Sequence, residues 1–152
     1  MTVTSDIPEA AAHLLGAPHF AHVAVVTAAG SVHTTPLWIG MRDGLPAVNT
    51  AIGRLLDRRL REDPRVSLSV HNQSDPYNFV QIRGRAHLVE DGAWDHLDEL
   101  AHAYLQTPYP VDRTGMERVI VVIEPAQVFY RPPPTYDRPR WVATDDPEKG
   151  AS

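Results

Sequence analysis

A chain of 152 residues has the length of one domain able to bury a substantial core, and its 43% hydrophobic and 22% charged residues are ordinary for a globular protein. Lacking cysteine, it forms neither disulfides nor thiolate metal sites; it has no apolar run of about 18 residues to cross a membrane and no leader-like N-terminus, so it is expected to be cytoplasmic. A formal net charge of −5, with no basic stripe beyond one short helix, excludes general nucleic-acid binding.

In chain order, Ser5 or Asp6 is expected to cap a helix over 8–15, with Gly16 at its end. Residues 22–27 form a β-rich apolar run, a turn follows at 28–31, and a second strand covers 32–40. Pro36 lies within that strand and has no N–H to donate, so the strand must bulge or present a free edge there. Asp43-Gly44 is a hairpin turn into a third strand over 46–50.

The next stretch, residues 49–70, reads as a strand end, a short helix stopped by Asp63-Pro64, and a strand in which Val66, Leu68 and Val70 alternate with polar residues. Four arginines fall within residues 54–61. Arg54, Arg58 and Arg61 share one helix face at i, i+4 and i+7, next to the unpaired amides of the helix N-terminus. Such an arrangement can seat a phosphate; the same spacing also describes a solvated face.

Residues 72–77 read as a turn-rich loop, and 79–89 as a long strand with Gly84 a bulge or close-approach point. Asp91 is expected to cap a helix whose Trp94, Leu97, Ala101 and Tyr104 form an apolar stripe. A buried strand covers 118–125 and continues through 127–130. From Arg131 the chain is rich in proline, with Trp141 its only large apolar anchor. The expected organisation is therefore one domain over 1–130 and a Pro-rich tail over 131–152. Six strands joined mostly by hairpins, with helices after the third and fifth, predict a mainly β fold with some α, a small six-stranded antiparallel barrel.

The eight histidines lack metal-ligand spacing, and neither a Gly-x-Ser-x-Gly elbow nor a P-loop is present. No metal site is expected, and the reactive group of any enzyme built on this chain has to come from a cofactor.

Read together, residues 20–25, 32–38, 48–54 and 63–70, with Pro76-Tyr77 and Gln81-Ile82-Arg83-Gly84-Arg85, resemble the pyridoxamine 5′-phosphate oxidase-like split β-barrel family. Within it they are most similar to the actinobacterial branch that uses the deazaflavin coenzyme F420. The resemblance implies a homodimer with cofactor sites at the interface and the ring lying along the second and third strands. His33, Thr35, Pro36, Leu37 and Trp38 are then the ring-side residues. Asn49, Thr50 and Ala51 fall near the phosphoryl chain, Arg54 and Arg58 clamp its charge, and Tyr77 and Arg83 reach the neighbouring site.

The implied activity is hydride transfer from reduced F420 to an unsaturated small molecule. FMN-dependent redox chemistry and a non-catalytic barrel are the alternatives. The chain departs from the family's Gly-Arg-x-Lys-x-Arg-Asn-Leu pattern at two positions: Leu56 stands at the phosphate-binding lysine and Arg59 at the asparagine.

Overall fold

The computed structural model describes residues 2–135, so Trp141 and most of the Pro-rich tail lie outside the described residues. Eight strands and three helices follow in the order β1 (Thr2–Thr4), α1 (Glu9–Gly16), β2 (Phe20–Val26), β3 (Val32–Trp38), β4 (Gly40–Arg42), β5 (Leu45–Ala51), α2 (Leu55–Glu62), β6 (Arg65–Asn72), β7 (Asp75–Val89), α3 (Ala93–Leu105) and β8 (Arg118–Arg131). Six of these are the strands expected from the sequence, and β1 and β4, three residues each, are additional. All pairings are antiparallel, in the order β3-β2-β6-β7-β8-β5-β4 with β1 added to β8.

The ends of this sheet, β3 and β4, are joined directly through Ile39. The sheet therefore curls into a half-barrel whose last gap is bridged by chain rather than by a ladder. Ile39 explains why the expected strand over 32–40 breaks in two. Its side chain is 1% exposed, and its N–H donates to the Tyr104 hydroxyl of α3 at 2.9 Å instead of to a strand neighbour. The hydroxyl proton faces the carbonyls of Ile39 and His19, so one phenol satisfies the corner. Pro36 pairs in register with His22 on the edge strand β3, where a missing N–H costs no ladder bond.

Alternation places Ala21, Val23 and Val25 of β2, Val66, Leu68 and Val70 of β6, and Val80 and Ile82 of β7 in one core. α1 adds Ala11, Leu14 and Leu15, and α2 adds Leu56 and Leu60. Strand β5 is buried on both faces: Val48 enters the core, while Ala47 packs with Ala93 of α3 and Ile120 of β8.

Gly84 sits where the long β7–β8 ladder slips. Arg83 faces Gln127 but Gly84 faces Pro125, which leaves Ala126 as the extra residue of a bulge on β8. A Cβ at Gly84 would lie 2.0 Å from the Glu124 carbonyl oxygen, so only glycine fits. The Asp43-Gly44 turn has φ of 49° and 80°, the two positive values of a type I′ hairpin.

Three local expectations are corrected. The predicted loop over 72–77 is a two-residue turn, because Asn72 Oδ1 accepts the Ser74 N–H at 2.8 Å and Asp75 already begins β7. Helix α1 starts after Pro8 with no side-chain cap; the Asp6 N–H is held by Thr4 Oγ1 instead. Helix α3 starts after Gly92, whose left-handed φ of 73° takes the capping position that Asp91 was expected to fill.

Candidate functional site

The split between β3 and β5 holds a cavity of about 220 Å³. Pro36, Leu37 and Trp38 form its β3 wall, Asn49 and Thr50 come from β5, and Arg54 from the turn before α2. Leu97 and Leu100 of α3 close the far side, with Phe20, Tyr109 and Arg118 completing the lining. Aromatic side chains stiffen one wall. Trp38 stacks on Tyr104 (centroids 5.3 Å, interplanar 19°), Phe20 meets Tyr104 edge-on at 5.7 Å, and Tyr109 meets Trp38 edge-on at 6.2 Å.

Beneath this wall lies a buried polar network. Arg118, 7% exposed, donates from Nε to Asn49 Oδ1 at 2.8 Å. An arginine only donates, so this contact fixes the Asn49 carboxamide with its NH₂ toward the Ala93 carbonyl (2.9 Å) and His96 Nδ1 (3.1 Å). His96 Nδ1 is then an acceptor, and the neutral ring carries its proton on Nε2. Burial, with a smaller contribution from the charge of Arg42, holds the His96 pKa down at about 4, in agreement with that tautomer.

Not every arginine of α2 faces the cavity. Arg61 is occupied by Asp57 (2.7 Å) and Glu90 (2.9 Å). Arg59 donates to the Val26 carbonyl at 2.9 Å and pairs with Glu62 at 2.6 Å, so it ties the helix to β2 and is not free to replace a lysine. Leu56 is 5% exposed and belongs to the core. Asp57, also buried, accepts the Gly53 N–H at 2.8 Å, placing the protein's own carboxylate beside the helix start. Of the three arginines that share a face, only Arg54 lines the cavity; Arg58 is exposed one turn further on.

Of the eleven residues singled out as cofactor-binding, Pro36, Leu37, Trp38, Asn49, Thr50 and Arg54 therefore converge on one cavity. His33 and Thr35 pair with Val25 and Val23, and the β-alternation turns them to the barrel's inner side. Ala51 is buried opposite Arg118, and Tyr77 lies on β7 beneath the Arg131 guanidinium, 5.6 Å from the ring centre. Arg83 belongs to a different groove of about 480 Å³ on the outer sheet face, lined by small polar side chains such as Ser67, Ser69 and Gln81. That groove is larger, but the rings and cations converge in the smaller one.

Sequence reasoning missed Arg118, Tyr109, Phe20 and the two leucines of α3. Arg118 had a signal: it is the charge directly preceding an apolar run, Val119 to Ile123, which buries it with the strand. Among the described residues no three His, Asp or Glu side chains cluster as a metal site, and no helix is long and apolar enough to cross a membrane.

Three solved structures share this architecture. One described as an F420 reductase superposes with a TM-score of 0.71 at 25% identity, over 81% of this chain and 98% of its own. A conserved hypothetical protein, Rv2991, of Mycobacterium tuberculosis gives 0.71 at 21% identity, over 94% of this chain and 100% of its own. General Stress Protein 26 of Bacillus anthracis gives 0.63 at 16%, over 83% and 94%, and with Rv2991 it speaks to the fold alone. None of the curated proteins matches the chain. Residues 7–132 match the family described as pyridoxamine 5′-phosphate oxidase, which is most of the chain and nearly all of the described structure. The split half-barrel is thus accounted for by descent: the chain belongs to the pyridoxamine 5′-phosphate oxidase family.

Proposed function

We propose that this protein is a reductase that binds reduced coenzyme F420 in the β3–β5 split and reduces an unsaturated, electron-poor small molecule. The observation that carries this reading is the pairing of an aromatic wall with arginine in one cavity. A flat ring with an anionic tail is the ligand such a pairing suits. The likeness to a solved F420 reductase supports the same choice.

When bound, the deazaflavin would supply a hydride; binding, orientation and the exclusion of water are the work of the chain. Pro36, Leu37 and Trp38 offer an apolar surface that excludes water from one ring face. Thr50 offers a polar group along its edge, Asn49 steadies Arg118 beside it, and Arg54 neutralises the charged tail. The proton that completes the reduction comes from water or from a nearby tyrosine or arginine of the cavity.

The cavity of one chain, about 220 Å³, is smaller than the roughly 300–1,000 Å³ usual for cofactor-sized ligands, so a second copy of the chain is expected to complete the site. Light scattering should then give twice the chain mass. The second reading, FMN-dependent chemistry on the same barrel, follows from the family itself.

Titration followed by tryptophan fluorescence separates these readings. Micromolar or tighter F420 binding without FMN binding supports the first, and the reverse supports the second. Binding of neither would leave a non-catalytic barrel and refute both. Arg54→Ala, an exposed change, is expected to weaken F420 binding about tenfold or more without altering the melting temperature.

A further inference from the structure

The guanidinium of Arg118 is buried with much of its donor capacity unused. Nε is satisfied by Asn49, while Nη1 approaches only the weak acceptor Met116 Sδ, at 3.7 Å. Trp94 lies against it, its ring centre 5.9 Å from Cζ. Among the described residues no Asp or Glu pairs with Arg118, whereas Arg59, Arg61, Arg65 and Arg113 each hold a carboxylate.

A buried cation without a counter-charge is costly, and proteins that keep one usually pair it. Burial draws the Arg118 pKa below the usual arginine value; Tyr109 opposes this and the charge of Arg54 adds to it. An arginine stays charged nonetheless. Two guanidiniums therefore line one small cavity, and they repel each other until something negative lies between them.

We propose that Arg118 and Arg54 together form an oxyanion seat that takes a phosphoryl group, with Arg118 as the specificity-determining cation. Its place in the fold gives the reason. Residue 56 of α2 is a leucine turned into the core, so the second cation comes from the start of β8 instead. Asn49 holds Nε, which leaves the terminal amino groups for the ligand. The assignment rests on this cavity being the cofactor site, and its test is separable from that reading.

Inorganic phosphate is the first probe. At millimolar phosphate, with ionic strength matched by chloride, the wild-type melting temperature should rise by about 2–4 °C, and Arg118→Gln should abolish the rise. Arg118→Gln can keep a donor for Asn49 and removes the charge together with the two terminal amino groups. The second probe compares F420 with its phosphate-free deazaflavin core. The variant should weaken F420 at least about tenfold and leave the core within about twofold. If the variant fails to fold, the guanidinium ¹⁵N resonance of Arg118 in labelled wild type decides, and it should shift on adding phosphate.

A wild type indifferent to phosphate, an unmoved Arg118 resonance, a full response in the variant, or equal losses for F420 and its core would each overturn the proposal. A protein that responds to phosphate but binds neither F420 nor FMN would retain the oxyanion seat and refute the proposed function.

Discussion

Replacing His96 by glutamine is expected to flatten the stability of this protein between pH 6.5 and 4. In the unfolded chain the imidazole takes up a proton near 6.5; in the fold, burial chiefly, with Arg42, holds its pKa at about 4. Between these values the unfolded state binds the extra proton and the native state does not, so unfolding becomes easier as the pH falls. The stability due to this group is complete above pH 6.5 and is lost as the pH drops through about 4. At about 1.4 kcal/mol per pH unit the interval amounts to about 3 kcal/mol, a large part of the 5–15 kcal/mol typical of a domain.

Urea denaturation of wild type and variant across this range reads the difference directly. The comparison is needed because burial and His71 also lower the pKa of His19 in the same window. The lowered carboxyls of Asp63, Asp98 and Asp112 also begin to cost stability as the pH approaches 4, but they do so alike in wild type and variant and cancel in the comparison. Protonating Nδ1 also takes the acceptor from the Asn49 amide, so ligand affinity should fall in the same window. If the variant loses as much stability as wild type between pH 6.5 and 4, His96 is not the buried neutral acceptor described above.

Three further outcomes are expected. Gly84→Ala sets a Cβ 2.0 Å from a backbone carbonyl that has no rotamer to yield, so it should cost about 3 kcal/mol or more; an unchanged melting temperature would discredit the bulge. Leu56→Lys restores the family's lysine but places an unpaired charge in the core, for an expected loss of about 3–5 kcal/mol in urea denaturation. A stable lysine variant with tighter F420 binding would mean that residue 56 faces the site after all. Tyr104→Phe removes the hydroxyl that holds the Ile39 corner and should cost about 1–3 kcal/mol, read by thermal unfolding; no change would mean that the corner holds itself.

Local signals served where local physics decides. The alternation of Val66, Leu68 and Val70 fixed a strand with one buried face, and Asp43-Gly44 specified a turn that few other pairs enter. Gly84 was readable as a close-approach point because glycine inside a strand needs a reason. Pro36 announced a free edge, and β3 is one. The break at Ile39 was not readable, since it depends on a phenol 65 residues away in the chain.

The site divides along the same line. Pro36, Leu37, Trp38, Asn49, Thr50 and Arg54, which share one cavity, could be grouped from the sequence because β3, β5 and the turn after it are close in sequence, where order along the chain is nearly order in space. The sequence by itself determined the family and the six long strands, and it offered Arg54 and Arg58 together, of which Arg54 lines the cavity. Only the tertiary structure decided which charges are free. Arg59 and Arg61 spend theirs on Glu62, Asp57 and Glu90, while Arg118, from the far end of the chain, lies buried without a carboxylate beside Asn49. Pairing between charges is settled by distances across the fold, and spacing along a helix carries no record of them.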